Sequence, residues 1–387
     1  MDRMFSAATR LHGYLVSHHW QGKRLVGPDP GIRFNYRIGR FLKSYMGARP
    51  WGDDLYYLQG QGYWVLGNWR LWELTGDNAY REIAVAASES MLAEQSEEGA
   101  WGYPNPEWAG RIATAEGTWG ALGLLESHRL SGEDHFLESA LRWHGYVMSS
   151  VGFQQVGDEL SVNYFAHQPH GPRVPNNSAL LLRFLAELTR VTGDEAYLQP
   201  AAGLMRFMTA AQLDSGEFPY TVKGQDGRTG RTHFQCFQYN AFQCLDLMRY
   251  HELTGDSAAM PTIQQVLGFL SGGLGSSGQA HYQCDNRHTT VTYHTAVMAA
   301  AFAKAAELGI DGYQGSADRA YFYVLDRQRR DGGFEHSHGD YRVLSDRRSY
   351  PRYLSMILYH ILSGPSTGSF DGAGAGKEKA TQGSLAE

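Results

Sequence analysis

One carboxylate interrupts an otherwise apolar stretch. Glu116 sits within Ile112-Ala-Thr-Ala-Glu-Gly-Thr-Trp119. A carboxyl group so placed either pairs with an arginine across the scaffold or holds its proton to unusually high pH, with a structural partner such as Arg111 equally open. Either way it is a candidate for moving protons. Further acids, Glu107, Glu217, Asp285, Glu335 and Asp340, fall in polar connections between apolar runs. Those connections also hold eight of the 16 histidines, at positions 167, 170, 233, 281, 288, 294, 336 and 338. General acid–base chemistry needs such groups beside a substrate, with cations to hold charge as it develops. The acid–base candidates are Glu116, His170, His233, His288 and Glu335. Arg173, Arg231, Arg287 and Arg347 are the candidates for binding anionic groups. Trp101, Tyr103, Asn177, Tyr220, His338 and Tyr341 lie in the same connections and supply stacking surfaces and hydrogen bonds.

Each of these residues also has an ordinary structural reading. A histidine in a loop often only stacks or hydrogen-bonds, and Glu217 or Glu335 reads equally well as a turn residue. A metal is not expected. Gln283-Cys-Asp-Asn-Arg-His288 contains suitable ligand types, but Cys284 has no second thiolate close in sequence and reads as a small apolar filler. Three cysteines, Cys236, Cys244 and Cys284, are too few and odd in number for a disulfide framework. No cofactor is implied.

The elements that position these residues are set by a repeat. Leu74-Thr-Gly-Asp-Asn-Ala-Tyr80 returns as Val191-Thr-Gly-Asp-Glu-Ala-Tyr197 and Leu253-Thr-Gly-Asp-Ser-Ala-Ala259, and more loosely near Gly132 and Gly309. Gly76, Gly132, Gly193, Gly255 and Gly309 stand 56, 61, 62 and 54 residues apart. Glycine closing an apolar-periodic run, followed by an acid, reads as one helix's C-cap and the next helix's N-cap. Before each mark runs a helix apolar nearly all round; after it comes a one-faced helix. That second helix ends at another mark, Gln95…Gly99-Ala-Trp101, Gln212…Gly216-Glu-Phe218 or Gln328…Gly332-Gly-Phe334. The buried helices are expected at about 55–74, 112–130, 176–192, 233–253, 289–307 and 350–362, with Asp53-Asp54 capping the first. Outer helices are expected at 3–18, 79–95 and 195–213, among others. Six of each describe an all-α, closed (α/α)6 toroid over residues 1–363, with a disordered Gly/Ser-rich tail at 364–387. An open solenoid is the alternative, but its repeats are shorter and lack one long connection per unit.

A net charge of -6 and the absence of a basic stripe argue against nucleic acid. No apolar run is long enough to span a membrane, and Arg10 and His12 break the N-terminal segment where a signal peptide would be apolar. A cytoplasmic chain is expected, with its oligomeric state open.

The Gln-x-x-x-Gly-x-Trp spacing of Gln95–Trp101, with Gly-Asp turns between paired helices, resembles the α/α-toroid superfamilies. One branch is the six-hairpin glycosidase-like group, with its hydrolases, polysaccharide lyases and sugar epimerases. The other is the terpenoid cyclase and protein prenyltransferase toroid. Gly27-Pro-Asp-Pro-Gly31 and Tyr57-Leu-Gln-Gly-Gln-Gly-Tyr63 are further similar to toroid proteins of bacterial exopolysaccharide clusters. The Asp-x-Asp-Asp motif of the alkene-protonating cyclases is absent from this sequence. What the first branch implies is an oligo- or polysaccharide ligand, handled by hydrolysis, elimination or epimerisation at the end of the scaffold that carries the long connections. Two other readings stay open: an isoprenoid-binding toroid, and a glycan-binding scaffold without catalysis.

Overall fold

Each Gly-Asp mark stops one helix and starts another for the reason its residues suggest. Gly76, Gly132, Gly193 and Gly255 adopt the left-handed conformation at φ 70°, 77°, 74° and 69°, and each N–H closes on a carbonyl of the last turn. The acid that follows caps the next turn: Asp77 accepts from the Ala79 N–H, Asp194 from Ala196 and Asp256 from Ala258. Glu133, the looser copy, makes no side-chain cap.

The computed structural model describes residues 3–31, 38–46, 49, 54–223, 230–338 and 345–364. The buried helices are α3 (Leu58–Thr75), α5 (Thr114–Ser131), α7 (Pro175–Thr192), α9 (Cys236–Thr254), α11 (Thr292–Glu307) and α13 (Pro351–Leu362). Around them stand α1 (Arg3–His18), α4 (Asn78–Ala93), α6 (Asp134–Tyr146), α8 (Ala201–Ala211), α10 (Ala259–Ser271) and α12 (Gln314–Asp326), while α2 (Ile38–Tyr45) falls outside this alternation. Each inner helix packs on the next, and α13 returns to α3. That contact closes the ring and excludes the solenoid. The chain is a closed (α/α)6 toroid in which the N-terminal α1 serves as the outer partner of α13.

Three local expectations differ from the structure. The outer helix expected at 195–213 is split: a 3₁₀ turn, Glu195–Leu198, precedes Pro200, and α8 begins only at Ala201. Two small antiparallel pairs interrupt the helical pattern. The hairpin β1 (Phe153–Val156) and β2 (Glu159–Val162) pairs Phe153 with Val162, and β3 (Thr290–Val291) pairs with β4 (Ser337–His338). The Asp53-Asp54 cap is not found at the start of α3, which opens after Tyr57; Asp53 itself lies outside the described residues. So do residues 365–387, where the disordered tail is expected. Among the described residues no helix is long and apolar enough to cross a membrane.

The glutamine marks staple neighbouring units together. The Gln95 side-chain amide donates to Gly99 O at 2.9 Å and to Ser139 O at 3.0 Å. Gln212 does the same to Gly216 and Thr262, and Gln328 to Gly332 and to Ala7 of α1. Gly332 has φ 92°, and a Cβ there would fall on the Arg10 carbonyl. Gly132 has φ 77° but open space around it. Gly332→Ala should therefore cost roughly 2 to 4 kcal/mol, against about 1 kcal/mol for Gly132→Ala. Urea unfolding of the two variants checks this. Equal losses would show that the ring seam adds nothing to backbone strain.

Candidate functional site

The six inner helices start at one end of the ring, and the long connections converge there over a cavity of about 350 Å³. Aromatic side chains dominate its wall: Tyr57, Tyr103, Trp108, Trp119, Tyr164, Tyr220, Phe234, Tyr239, Tyr293 and Tyr353. Amides of Gln59, Asn105, Asn176, Asn177, Gln235 and Gln238 are interleaved with them. The charged residues of the lining are Glu116, Arg352 and Asp246. Among the described residues no histidine lines this cavity.

Glu116 lies in the first turn of α5 and reaches the start of α3. Its Oε2 accepts the Gln59 N–H at 2.9 Å, so it does from a neighbouring helix what Asp53-Asp54 was expected to do in sequence. Its cation is not Arg111, whose guanidinium lies over the Phe165 ring. Instead Nη1 of Arg352, from the first turn of α13, stands 3.9 Å from Glu116 Oε1. Burial pushes the Glu116 carboxyl up to about 7, with Arg352 and the α3 N–H groups opposing that rise only in part.

Arg352 is itself committed. Its Nε and Nη2 form a fork on Asp29, at 2.8 and 3.0 Å, and Asp29 is fully buried beneath the cavity. The guanidinium also stacks over the Tyr57 ring at 4.2 Å and donates to the Tyr353 hydroxyl at 2.7 Å. Asp29 belongs to the Gly27-Pro-Asp-Pro-Gly31 loop, fixed by the Gly27–Leu55 bridge. Around this centre the tyrosines form linked pairs: Tyr293 stacks on Tyr353 at 4.2 Å, and Tyr220 hydrogen-bonds Tyr164 and Tyr239. Burial raises these phenols, Tyr353 to about 12 with Arg352 beside it opposing the rise. They therefore stay protonated near neutral pH and can donate to or accept from hydroxyl groups. The two carboxyls of the lining are the groups closest to changing charge there: burial pushes Glu116 up to about 7 and Asp246, against its Arg183 partner, to about 6.

Asp246, the other carboxyl of the lining, is tied to a cation of its own, and burial pushes it up to about 6. It is salt-bridged to Arg183 at 3.2 Å. It lies about three turns into α9, whereas Glu116 lies in the first turn of α5. Arg183 stacks on Trp119, closing the cavity floor. Beyond that floor a second cavity of about 350 Å³ opens at the short-turn end, lined by Arg70, Glu73, Arg249, Glu252 and Lys304. Its charges are mutually paired, for example Arg249–Glu187 and Lys304–Glu252 at 2.7 Å, which makes it a circular brace between helix ends.

Of the residues singled out by sequence, Glu116, Tyr103, Asn177 and Tyr220 meet at the central cavity. The others do not line it. Trp101 is buried against Trp143 with its indole N–H on Met91 O. Arg173 pairs with Glu159 at 2.7 Å and lies over Phe207. Arg231 covers Phe234 from outside at 3.7 Å. His170, Arg287, His288, His338 and Arg347 are exposed, and Glu335 offers its backbone carbonyl to Thr292. His233 is bound to Glu217 outside the cavity, and Tyr341 lies outside the described residues. His294 and His336, counted in the histidine cluster, are buried between aromatic rings, and burial lowers both, His294 to about 3. The residues missed were Arg352, Asp29, Tyr57, Tyr239, Tyr293 and Tyr353. Arg352-Tyr353 carried the signal that marked Glu116, a charge opening a helix that is otherwise apolar.

No protein-family model matches this chain, and no curated protein matches it. Solved structures do. Cellobiose 2-epimerase from Bacillus thermoamylovorans is 12% identical, with a TM-score of 0.71 over 93% of this chain and 98% of the other. A possible member of the GH105 family from Klebsiella pneumoniae subsp. pneumoniae is 15% identical, with a TM-score of 0.67 over 93% and 92%. A GH76 alpha-mannanase from Bacteroides thetaiotaomicron is 12% identical, with a TM-score of 0.68 over 93% and 94%. At such identities the likeness is one of fold alone, the closed (α/α)6 ring.

Proposed function

We propose that the chain is a carbohydrate-active enzyme that binds an oligo- or polysaccharide in the central cavity and uses Glu116 to transfer a proton. The observation that carries this reading is the buried Glu116 carboxyl, pushed up to about 7, at the Arg352 end of a cavity lined by tyrosines and amides. A carboxyl near neutrality gives and takes protons with little penalty. Aromatic faces stack on sugar rings, and protonated phenols with side-chain amides match their hydroxyls. An isoprenoid would instead leave these polar groups unpaired. The named neighbours include an epimerase and a mannanase, in keeping with this substrate class. The likeness to toroid proteins of exopolysaccharide clusters supports a role in bacterial polysaccharide biosynthesis or turnover.

Asp29 already neutralises Arg352, so the centre carries no net charge while Glu116 is protonated. The Nη1 edge of Arg352 is then available to an anionic sugar. Above pH 7 the ionised Glu116 opposes it. The test is incubation with neutral and uronic-acid oligosaccharides, with products read by mass and NMR for cleavage, unsaturation or epimerisation. Turnover of at least one class is expected, that of acidic sugars falling above pH 7. Absence of any change across both classes would overturn catalysis. A non-catalytic glycan scaffold is the second reading, because capping α3 explains the burial of Glu116 without chemistry.

A further inference from the structure

We propose that His233, Cys236 and Cys284 hold a zinc ion that clips together the outer wall of the cavity. His233 precedes α9, Cys236 opens it, and Cys284 comes from the connection before α11. Their ligand atoms all lie within 4.8 Å of one another, and the two sulfurs are 3.3 Å apart. Zinc–sulfur and zinc–nitrogen bonds of about 2.3 and 2.1 Å place tetrahedral ligand atoms roughly 3.5 to 4 Å from each other, so the group needs only small adjustment. Two thiolates and an imidazole form a borderline-soft set that favours zinc over magnesium or calcium. The second thiolate was invisible in sequence because it lies 48 residues from the first.

An independent feature points to the same ligand. Glu217 is fully buried, its Oε1 accepts the His233 N–H at 2.9 Å, and its Oε2 lies 2.8 Å from Nδ1 of the His233 ring. Oε2 has no aligned donor as it stands, and a small turn of the ring would bring Nδ1–H onto it; a carboxylate so placed makes the other nitrogen a better metal ligand. The half-exposed ring gives an ion access from solvent, and water completes the coordination. Binding releases the two thiol protons to solvent and changes no oxidation state.

The site also explains an unusual backbone. His233 and Gln235 both have left-handed φ, 57° and 44°, without being glycine. Between them Phe234 faces the cavity, as does Gln235, whose N–H meets Gln283 Oε1 at 3.4 Å. A metal bond on each side would hold that strained turn in place.

The experiment is titration of the reduced, metal-stripped chain with cobalt(II), followed by absorption. One equivalent should bind with thiolate-to-cobalt charge-transfer and tetrahedral ligand-field bands, and zinc should displace it. Cys236→Ser or Cys284→Ser should abolish the bands, Cys244→Ser should keep them, and Glu217→Gln should weaken binding about 10- to 100-fold. Should a serine variant misfold, the wild-type and Cys244→Ser titrations decide the matter alone. Absence of the charge-transfer band in the wild type would overturn the proposal. So would an intact mass two hydrogens short that returns on reduction, since Cys236 and Cys284 would then be a disulfide.

Discussion

Glu116→Gln should lower kcat by about 10²- to 10⁴-fold on whichever saccharide the wild type turns over, with binding largely retained. The amide keeps an oxygen for the Gln59 N–H but cannot exchange a proton in the reaction. Stability should move the other way. The folded-state carboxyl titrates at about 7, above its ordinary value of 4.5. Its protonated form is thus favoured by folding. The associated stability is present in full below about pH 4.5 and is lost as the pH rises through 7, amounting to about 3 kcal/mol. Glutamine removes that slope. The variant should therefore gain on the wild type between pH 5 and pH 8, as read by urea unfolding at both. A merely structural Glu116 would show the stability change while leaving turnover intact.

Arg352→Met should destabilise the chain by roughly 3 to 5 kcal/mol, because it strands Asp29 at full burial without its cation. Denaturant unfolding at neutral pH measures this. Adding Asp29→Asn should recover much of the loss, since the double variant buries no net charge. Recovery of stability without recovery of saccharide binding would separate the ion pair's structural part from its part in the site. If the single variant is as stable as the wild type, the Asp29–Arg352 fork is not what holds the Gly27–Gly31 loop beneath the cavity.

The fold was legible because its signals are local. A glycine in the left-handed region, an aspartate two residues before the N–H it caps, and a glutamine four residues from the carbonyl it binds all act within one turn of chain. The start of α3 was misread for the complementary reason: its cap comes from Glu116, 57 residues away. The same distance hid the site. Asp29 and Arg352 are 323 positions apart, and only ring closure brings α13 back to the N-terminal loop. Histidines drew attention because they are rare and reactive, yet those in the connections are exposed, buried among rings or tied to Glu217. Tyr103 and Tyr220, in the connections, were legible as stacking surfaces, whereas Tyr239, Tyr293 and Tyr353 lie inside inner helices whose apolar pattern hides which ring faces the cavity. Glu116 was found because a charge in an apolar run must be explained, and Arg352 answers to the same test.

Exchange of a proton on Glu116 near neutrality, inside a saccharide-binding cavity, is open to direct observation. Carbon-13 NMR of glutamate-labelled protein tests it most directly, with Glu116→Gln assigning the resonance. The expected result is a carboxyl titrating at about 7 in the free chain, moved by at least one neutral or acidic oligosaccharide. A carboxyl titrating near 4.5, or one that no saccharide shifts, would contradict it.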